Sequence, residues 1–127
     1  IPEFKNLKLV IMRNLRNQVQ LIGRLGADPE MTELSTGNQK AFMSIATSET
    51  YQNKSGEKVT DTQWHNVVAW NGNAKYAKSY LTKGTEVMVQ GKLVNRSYED
   101  KTGTTRYVTE VVVDQMLILN KKEEKES

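Results

Sequence analysis

The sequence has no cysteine, one histidine (His65) and only two prolines. Without cysteine there is no disulfide, no thiolate metal site and no cysteine nucleophile. A lone imidazole excludes a zinc site assembled from several histidines and a histidine-rich catalytic centre. Long hydrophobic runs are missing too. The longest, Val111 to Leu119, is interrupted by Asp114 and Gln115 and falls far short of the ~20 apolar residues that a membrane-spanning helix needs. Charge of one sign is scarce, since 18 basic against 15 acidic residues leave a net +3. Such an excess suits a polyanionic partner without approaching the charge of a histone-like protein. At 127 residues the chain supports one domain with one core.

The ends read differently from the middle. "IPEF" at the start has the look of a cloning or processing remnant and Met12 that of a native start, so residues 1–12 are set apart as a tag-like or extension segment. The apolar "LKLVI" within it (Leu7 to Ile11) could add a strand. At the other end, residues 120–127 close on "KKEEKES", a solvated charged tail. The folded domain is expected over 13–119.

Within the domain, apolar residues recur mostly at every second position. Val19, Leu21, Gly23 and Leu25 share one face of a first strand, and Asp28-Pro29 ends it. A second strand is expected over Lys40 to Ser48, then a long polar hairpin loop from Glu49 to Asp61. In a third strand, about Thr62 to Trp70, parity separates Trp64, Asn66, Val68 and Trp70 from His65, Val67 and Ala69. The period then changes. Ala74, Ala77, Tyr80 and Leu81 form a helical stripe over Asn73 to Lys83, with Asn73 as cap and Gly84 as the terminating glycine. Two more strands follow, Glu86 to Arg96 and Arg106 to Asp114, around a polar tip from Ser97 to Thr105. Tyr107 shares the parity of Val111 and Val113 and is expected in the core, and Tyr76 and Tyr80 are assigned to packing. Three strands, one short helix and two strands, with Gly23 and Gly91 at bends, describe an all-β, five-stranded OB-fold barrel whose helix lies between strands 3 and 4. A β-sandwich is the main alternative, for which five strands are few.

Three features of this layout point to a nucleic-acid surface. Trp64 and Trp70 lie on one strand face about 20 Å apart, while the opposite face carries better core material in Val67 and Ala69. Tyr51 and Tyr98 border the two hairpin loops that would line the cleft of such a barrel. Lys54, Lys58, Lys83, Lys92, Arg96, Lys101 and Arg106 stand near these aromatics, diluted by Asp61, Glu99 and Asp100. Aromatic platforms beside cations suit single strands, because every base has a π-face to stack. Catalytic signals are weak. Asp28, Glu30 and Glu33 could be imagined as metal ligands of a nuclease, but they read as a solvated acidic turn. There is no nucleophile elbow and no phosphate-cradling glycine loop.

Five blocks carry a family resemblance: "NQVQLIGRLGADPE" (Asn17 to Glu30), "ATSETY" (Ala46 to Tyr51), "QWHNVVAW" (Gln63 to Trp70), "YLTKGTEVMVQGKL" (Tyr80 to Leu93) and "RYVTEVVVDQMLIL" (Arg106 to Leu119). In this order they resemble the bacterial single-stranded DNA-binding protein family. The resemblance implies an OB-fold that assembles as a homotetramer and wraps single-stranded DNA without sequence preference, in replication, recombination and repair. It implies no catalysis, no cofactor, no metal and no membrane, and a cytoplasmic, nucleoid-associated location. Carried over position by position, it makes Tyr51, Trp64, Trp70 and Tyr98 base-stacking residues. Lys54, Lys83, Arg96 and Arg106 become phosphate contacts, and His65 falls in the subunit interface. Many relatives hold Trp at the Tyr51 and Tyr98 positions and Phe at the Trp70 position, swaps that keep a π-face. Asn66 stands where many carry Arg. Typical bacterial members end in an acidic, apolar tip that recruits repair and replication enzymes. "KKEEKES" does not match it, so the resemblance does not extend to that recruitment. A primosomal replication protein of the same fold has fewer stacking aromatics than this sequence and is the runner-up.

Overall fold

The period-two pattern is carried into six strands among residues 15–121, the part of the chain that the computed structural model describes. The expected leading segment (1–12) and residues 122–127 of the tail lie outside it. The elements are β1 (Val19–Leu25), β2 (Glu30–Glu33), β3 (Gln39–Gln52), β4 (Lys58–Trp70), α1 (Gly72–Tyr80), β5 (Glu86–Glu99) and β6 (Thr105–Asn120).

Five of the strands run in the order β1-β5-β6-β4-β3, and pairing of Arg24 with Ala46 and Leu25 with Ile45 returns β3 to β1. The sheet is thereby closed, leaving no long open edge among these five. The helix lies between β4 and β5, that is, between the third and fourth barrel strands. The short β2 was not anticipated. It pairs with the first residues of β3, outside the closed ring. All pairings are antiparallel except β4 with β6, joined in parallel through Asn66–Glu110, Val67–Val111 and Val68–Val112.

Inward parity fills the barrel with Met43, Ile45, Val67, Val87, Val89, Val111 and Val113, while Ala74, Ala77 and Leu81 cover one end. Truncating a filled position such as Ile45 to Ala costs about 2–5 kcal/mol in a core of this kind. Closure brings backbones together. A Cβ on Gly23 would collide with the Ala46 carbonyl, and one on Gly91 with the Val112 carbonyl. Gly91 also sits at a register shift between β5 and β6, the bend that turns the sheet.

Several expected boundaries move. The polar stretch from Glu49 to Asp61 is mostly strand: β3 and β4 pair without a break from Lys40–Trp70 to Gln52–Lys58. Only 53–57 turns, tied by Asn53 Oδ1 accepting the Ser55 and Glu57 backbone N–H groups. Likewise β5 and β6 pair out to Glu99–Thr105. Both hairpins therefore project as ribbons beyond the barrel. That corrects Tyr107. Its inward parity holds, but at its position there is no interior left, and it is 83% exposed. Tyr80 is also exposed, its ring tilted by 49° to that of Tyr76 with 5.0 Å between centroids. At the helix start, Asn73 does not cap. Its Nδ2 donates to the Val113 and Asp114 carbonyls, tying α1 to β6, and Asn71 occupies the cap position. Gly84 is not the helix terminator either. Leu81 ends the helix in extended backbone, and the Gly84 N–H donates to the Leu25 carbonyl.

Candidate functional site

Register decides which side chains share a surface, because directly paired residues point to the same side of a sheet. On β4, Trp64, Asn66 and Trp70 alternate with the core residues Val67 and Ala69 and face outward, while Val68 shares their parity but is covered, at 1% exposure. The parallel pairs Asn66–Glu110 and Val68–Val112 extend that outer face onto β6. From there the pairs Val94–Glu110, Arg96–Val108 and Tyr98–Arg106 carry it to the end of β5. Trp64, Trp70, Arg96, Tyr98 and Arg106 thus belong to one continuous outer surface. Tyr51 does not. It pairs with Val59 at inward parity, on the other side of the β3–β4 ribbon from Trp64, at 52% exposure. It also lies about 17 Å further along the strand from Ala46, the partner of Trp64.

Each outer aromatic has a specific support. Trp64 is 61% exposed. A Cβ on Gly26 would lie 2.5 Å from Cζ3 and 2.8 Å from Cη2 of this indole, so the ring rests directly on the glycine backbone. Trp70 is half-buried, with Lys40 Nζ 5.7 Å from its ring centroid. Tyr98 is 48% exposed, with the Arg96 guanidinium carbon 5.9 Å from its centroid.

The four expected phosphate contacts fall into two kinds. Lys54 is exposed at the tip of the β3–β4 ribbon, and Lys83 is exposed in the loop after α1. That loop is pinned beside the Trp64 corner: the Lys83 N–H donates to Asp28 Oδ1 at 2.8 Å, and Arg24 Nη1 donates to the Gly84 carbonyl at 2.8 Å. Among the described residues neither lysine forms an ion pair. The arginines do. Arg96 Nε donates to Glu110 Oε1 at 2.7 Å and its Nη2 to Oε2 at 3.3 Å. The hydrogen bond donated to Glu110, and then the Glu110 charge, push the Arg96 pKa up further. Arg106 Nε donates to Asp100 Oδ2 at 2.9 Å. Asp100 also accepts from the Thr102 hydroxyl at 2.6 Å, and these hydrogen bonds, Thr102 first, hold its carboxyl at about 2.

His65 is half-buried at inward parity, with Nε2 2.9 Å from the Thr47 hydroxyl. It lines a cleft with Gln20, Ile22, Glu49 and Asp61, away from the aromatic surface. Among the described residues, no three His, Cys, Asp or Glu side chains converge as a metal-binding group. Asp28, imagined as a ligand, is instead an acceptor for the Lys83 backbone. Sequence reading did not single out Lys40 and left Phe42 ambiguous; the pairs Lys40–Trp70 and Phe42–Val68 place both on the outer face. Their parity opposite Ala41 and Met43 was the available signal. It also missed Gly26, whose role depends on a contact 38 positions away that no local pattern encodes.

The closed barrel, its helix and the outward aromatic surface define an OB-fold protein. The sequence model of the Single-strand binding protein family matches residues 16–119. "Single-stranded DNA-binding protein 1" of Xylella fastidiosa is 39% identical over 109 residues, covering 85% of this chain and 80% of that protein. The protein of the same name from Chlorobaculum tepidum is 42% identical over 108 residues, covering 84% and 67%. Among solved structures, a Plasmodium falciparum SSB in complex with ssDNA superposes with a TM-score of 0.74 at 30% identity, over 82% of this chain and 95% of that one. The chain belongs to the Single-strand binding protein family.

Proposed function

We propose that this protein binds single-stranded DNA without sequence preference and, by coating it, protects it during replication, recombination and repair, with no catalytic step. The observation that carries this reading is the outer surface on which Trp64, Trp70 and Tyr98 stand together, two of them about half exposed or more. Stacking on such rings is worth roughly 1–3 kcal/mol per base and accepts any base. Trp64, Trp70, Tyr98 and, from the other face of its ribbon, Tyr51 are the stacking residues. Lys54 and Lys83 supply phosphate contacts, and Arg106 contributes from its pair with Asp100.

Assembly as a homotetramer is part of the same reading. Its support is the barrel exterior away from the aromatics. There Ile22 pairs with Met88, and Leu117 with Met88, and both Ile22 and Leu117 are exposed. His65, beside Ile22 in its cleft, borders this region. Light scattering tests the state: a tetramer fits, whereas a dimer favours the primosomal runner-up. No helix among the described residues is long and apolar enough to cross a membrane.

The direct test is a tryptophan-fluorescence titration with oligothymidylate at several salt concentrations. Quenching is expected, with log affinity falling against log salt at a slope near −0.7 per phosphate neutralised. Binding without quenching, or with zero slope, contradicts the mechanism. Incubation of labelled strands with Mg²⁺ tests the nuclease alternative, which steady degradation tracking the purified protein would favour.

A further inference from the structure

Glu110 is an anomaly on the outer surface. It is a carboxylate on a strand, its side chain only 6% exposed, with Val108 and Val112 at the same parity on β6 and Val94 opposite. A buried carboxylate is tolerated when a counter-charge is held against it with good geometry. Arg96 provides this, its Nε and Nη2 each donating to a different carboxylate oxygen. The fork is the planar arrangement that suits guanidinium to carboxylate and fixes the orientation of both. Arg96 is in turn two residues before Tyr98 on the same face of β5, with its guanidinium carbon 5.9 Å from the tyrosine ring centroid. Buried anion, forked cation and aromatic ring therefore form a row.

Two consequences follow from the charges. The positive charge of Arg96 is already compensated, so a phosphate arriving there meets a pair with no net charge and releases little counterion. The guanidinium, fixed from below, offers the tyrosine ring a rigid cationic support. Resting on the proposed DNA-binding role of this surface, we infer that Glu110 and Arg96 are positioning residues that set the Tyr98 ring for base stacking, and that Arg96 is not a phosphate contact. The expectation taken from the family resemblance, which grouped Arg96 with Lys54, Lys83 and Arg106, is thereby revised.

A double-mutant cycle combined with salt titration tests this. Oligothymidylate affinity is measured for the unaltered protein, Arg96→Met, Tyr98→Ala and the double variant, each checked for fold by circular dichroism. Arg96→Met is expected to weaken binding about two- to fivefold, the size of an exposed cation–π contact, with the salt slope unchanged. In the Tyr98→Ala background the same change is expected to have no effect. Glu110→Gln, which keeps the volume, frees the guanidinium. It is expected to steepen the slope by up to about 0.7 while lowering affinity at high salt, where stacking dominates. Additive effects of Arg96→Met and Tyr98→Ala, or a slope shallower by about 0.7 in Arg96→Met alone, would overturn the inference. If the unaltered protein fails to bind oligothymidylate, the functional reading itself falls. If it binds and the cycle is additive, only the role of Arg96 and Glu110 does.

Discussion

The six-membered ring of Trp64 lies on the backbone of Gly26, close enough that a single methyl group there would stand 2.5 Å from the indole. Gly26 follows the last residue of β1, and its N–H is bound to the Ser44 carbonyl at 2.9 Å, so the seat is a fixed piece of backbone. The glycine decides where Trp64, the most exposed of the proposed stacking residues, points. Gly26→Ala is expected to tilt the ring and weaken oligothymidylate binding by up to about 1–3 kcal/mol, the worth of one base stack. Trp64→Ala should cost the same in binding. With Trp64 absent, adding Gly26→Ala should cost nothing more, and fluorescence anisotropy of labelled oligonucleotide measures all three variants. An undiminished loss in the double variant would show that Gly26 acts elsewhere.

Salt titration separates the cations. Lys54→Gln and Lys83→Gln are each expected to make the log–log slope shallower by about 0.7, because each lysine is exposed and, among the described residues, outside any ion pair. Arg106→Gln is expected to change it less, since Asp100 already sits 2.9 Å from its Nε.

The Asp100 carboxyl gives a pH prediction. Its folded pKa, about 2, is below the ~3.9 of an unfolded chain. Protons therefore bind the unfolded form more readily, and stability contributed by this group is full above about pH 4 and fades as pH falls toward 2. From pH 5 to 8 the tip at Asp100–Thr104 is expected to keep its hydrogen bonds unchanged. An NMR titration of the Asp100 carboxyl carbon reads the midpoint, and a value near the unfolded one would mean that Thr102 and Arg106 do not hold the carboxylate.

Tyr107 tests how far the barrel interior extends. Tyr107→Ser is expected to change the unfolding free energy by less than about 0.5 kcal/mol, as at exposed sites generally. A loss of 3 kcal/mol or more, typical of about one buried aromatic, would place the ring in a core.

That case marks where the sequence was legible and where it was not. Alternation identified the barrel strands and put Val67, Ala69, Val111 and Val113 inside correctly. It also put the two tryptophans on the outer face, because Val67 and Ala69 were the better core candidates. Alternation is silent about length. Polar residues such as Thr60, Thr62 and Ser48 pair as well as valines do where both faces are wet, here through hydroxyl contacts such as Ser48–Thr62 and Thr50–Thr60. The ribbons therefore passed for loops, and Tyr107 and Tyr51 were judged without knowing that the barrel had ended. Pairing between distant strands was equally invisible. It alone separates Tyr51 from Trp64, joins Tyr98 to Trp64, and sets Arg96 against Glu110.

The two ribbons carry a consequence of their own. Past the barrel they have no interior, so cross-strand bonds and side-chain pairs alone hold them, and amides there should exchange with solvent well before those of Val67 or Val89. On the proposed reading, a ligand lying across them does the work that a core does elsewhere. Part of the attraction of each nucleotide is then spent on stiffening the protein, and a strand could be accommodated along more than one path while the central fold stays intact.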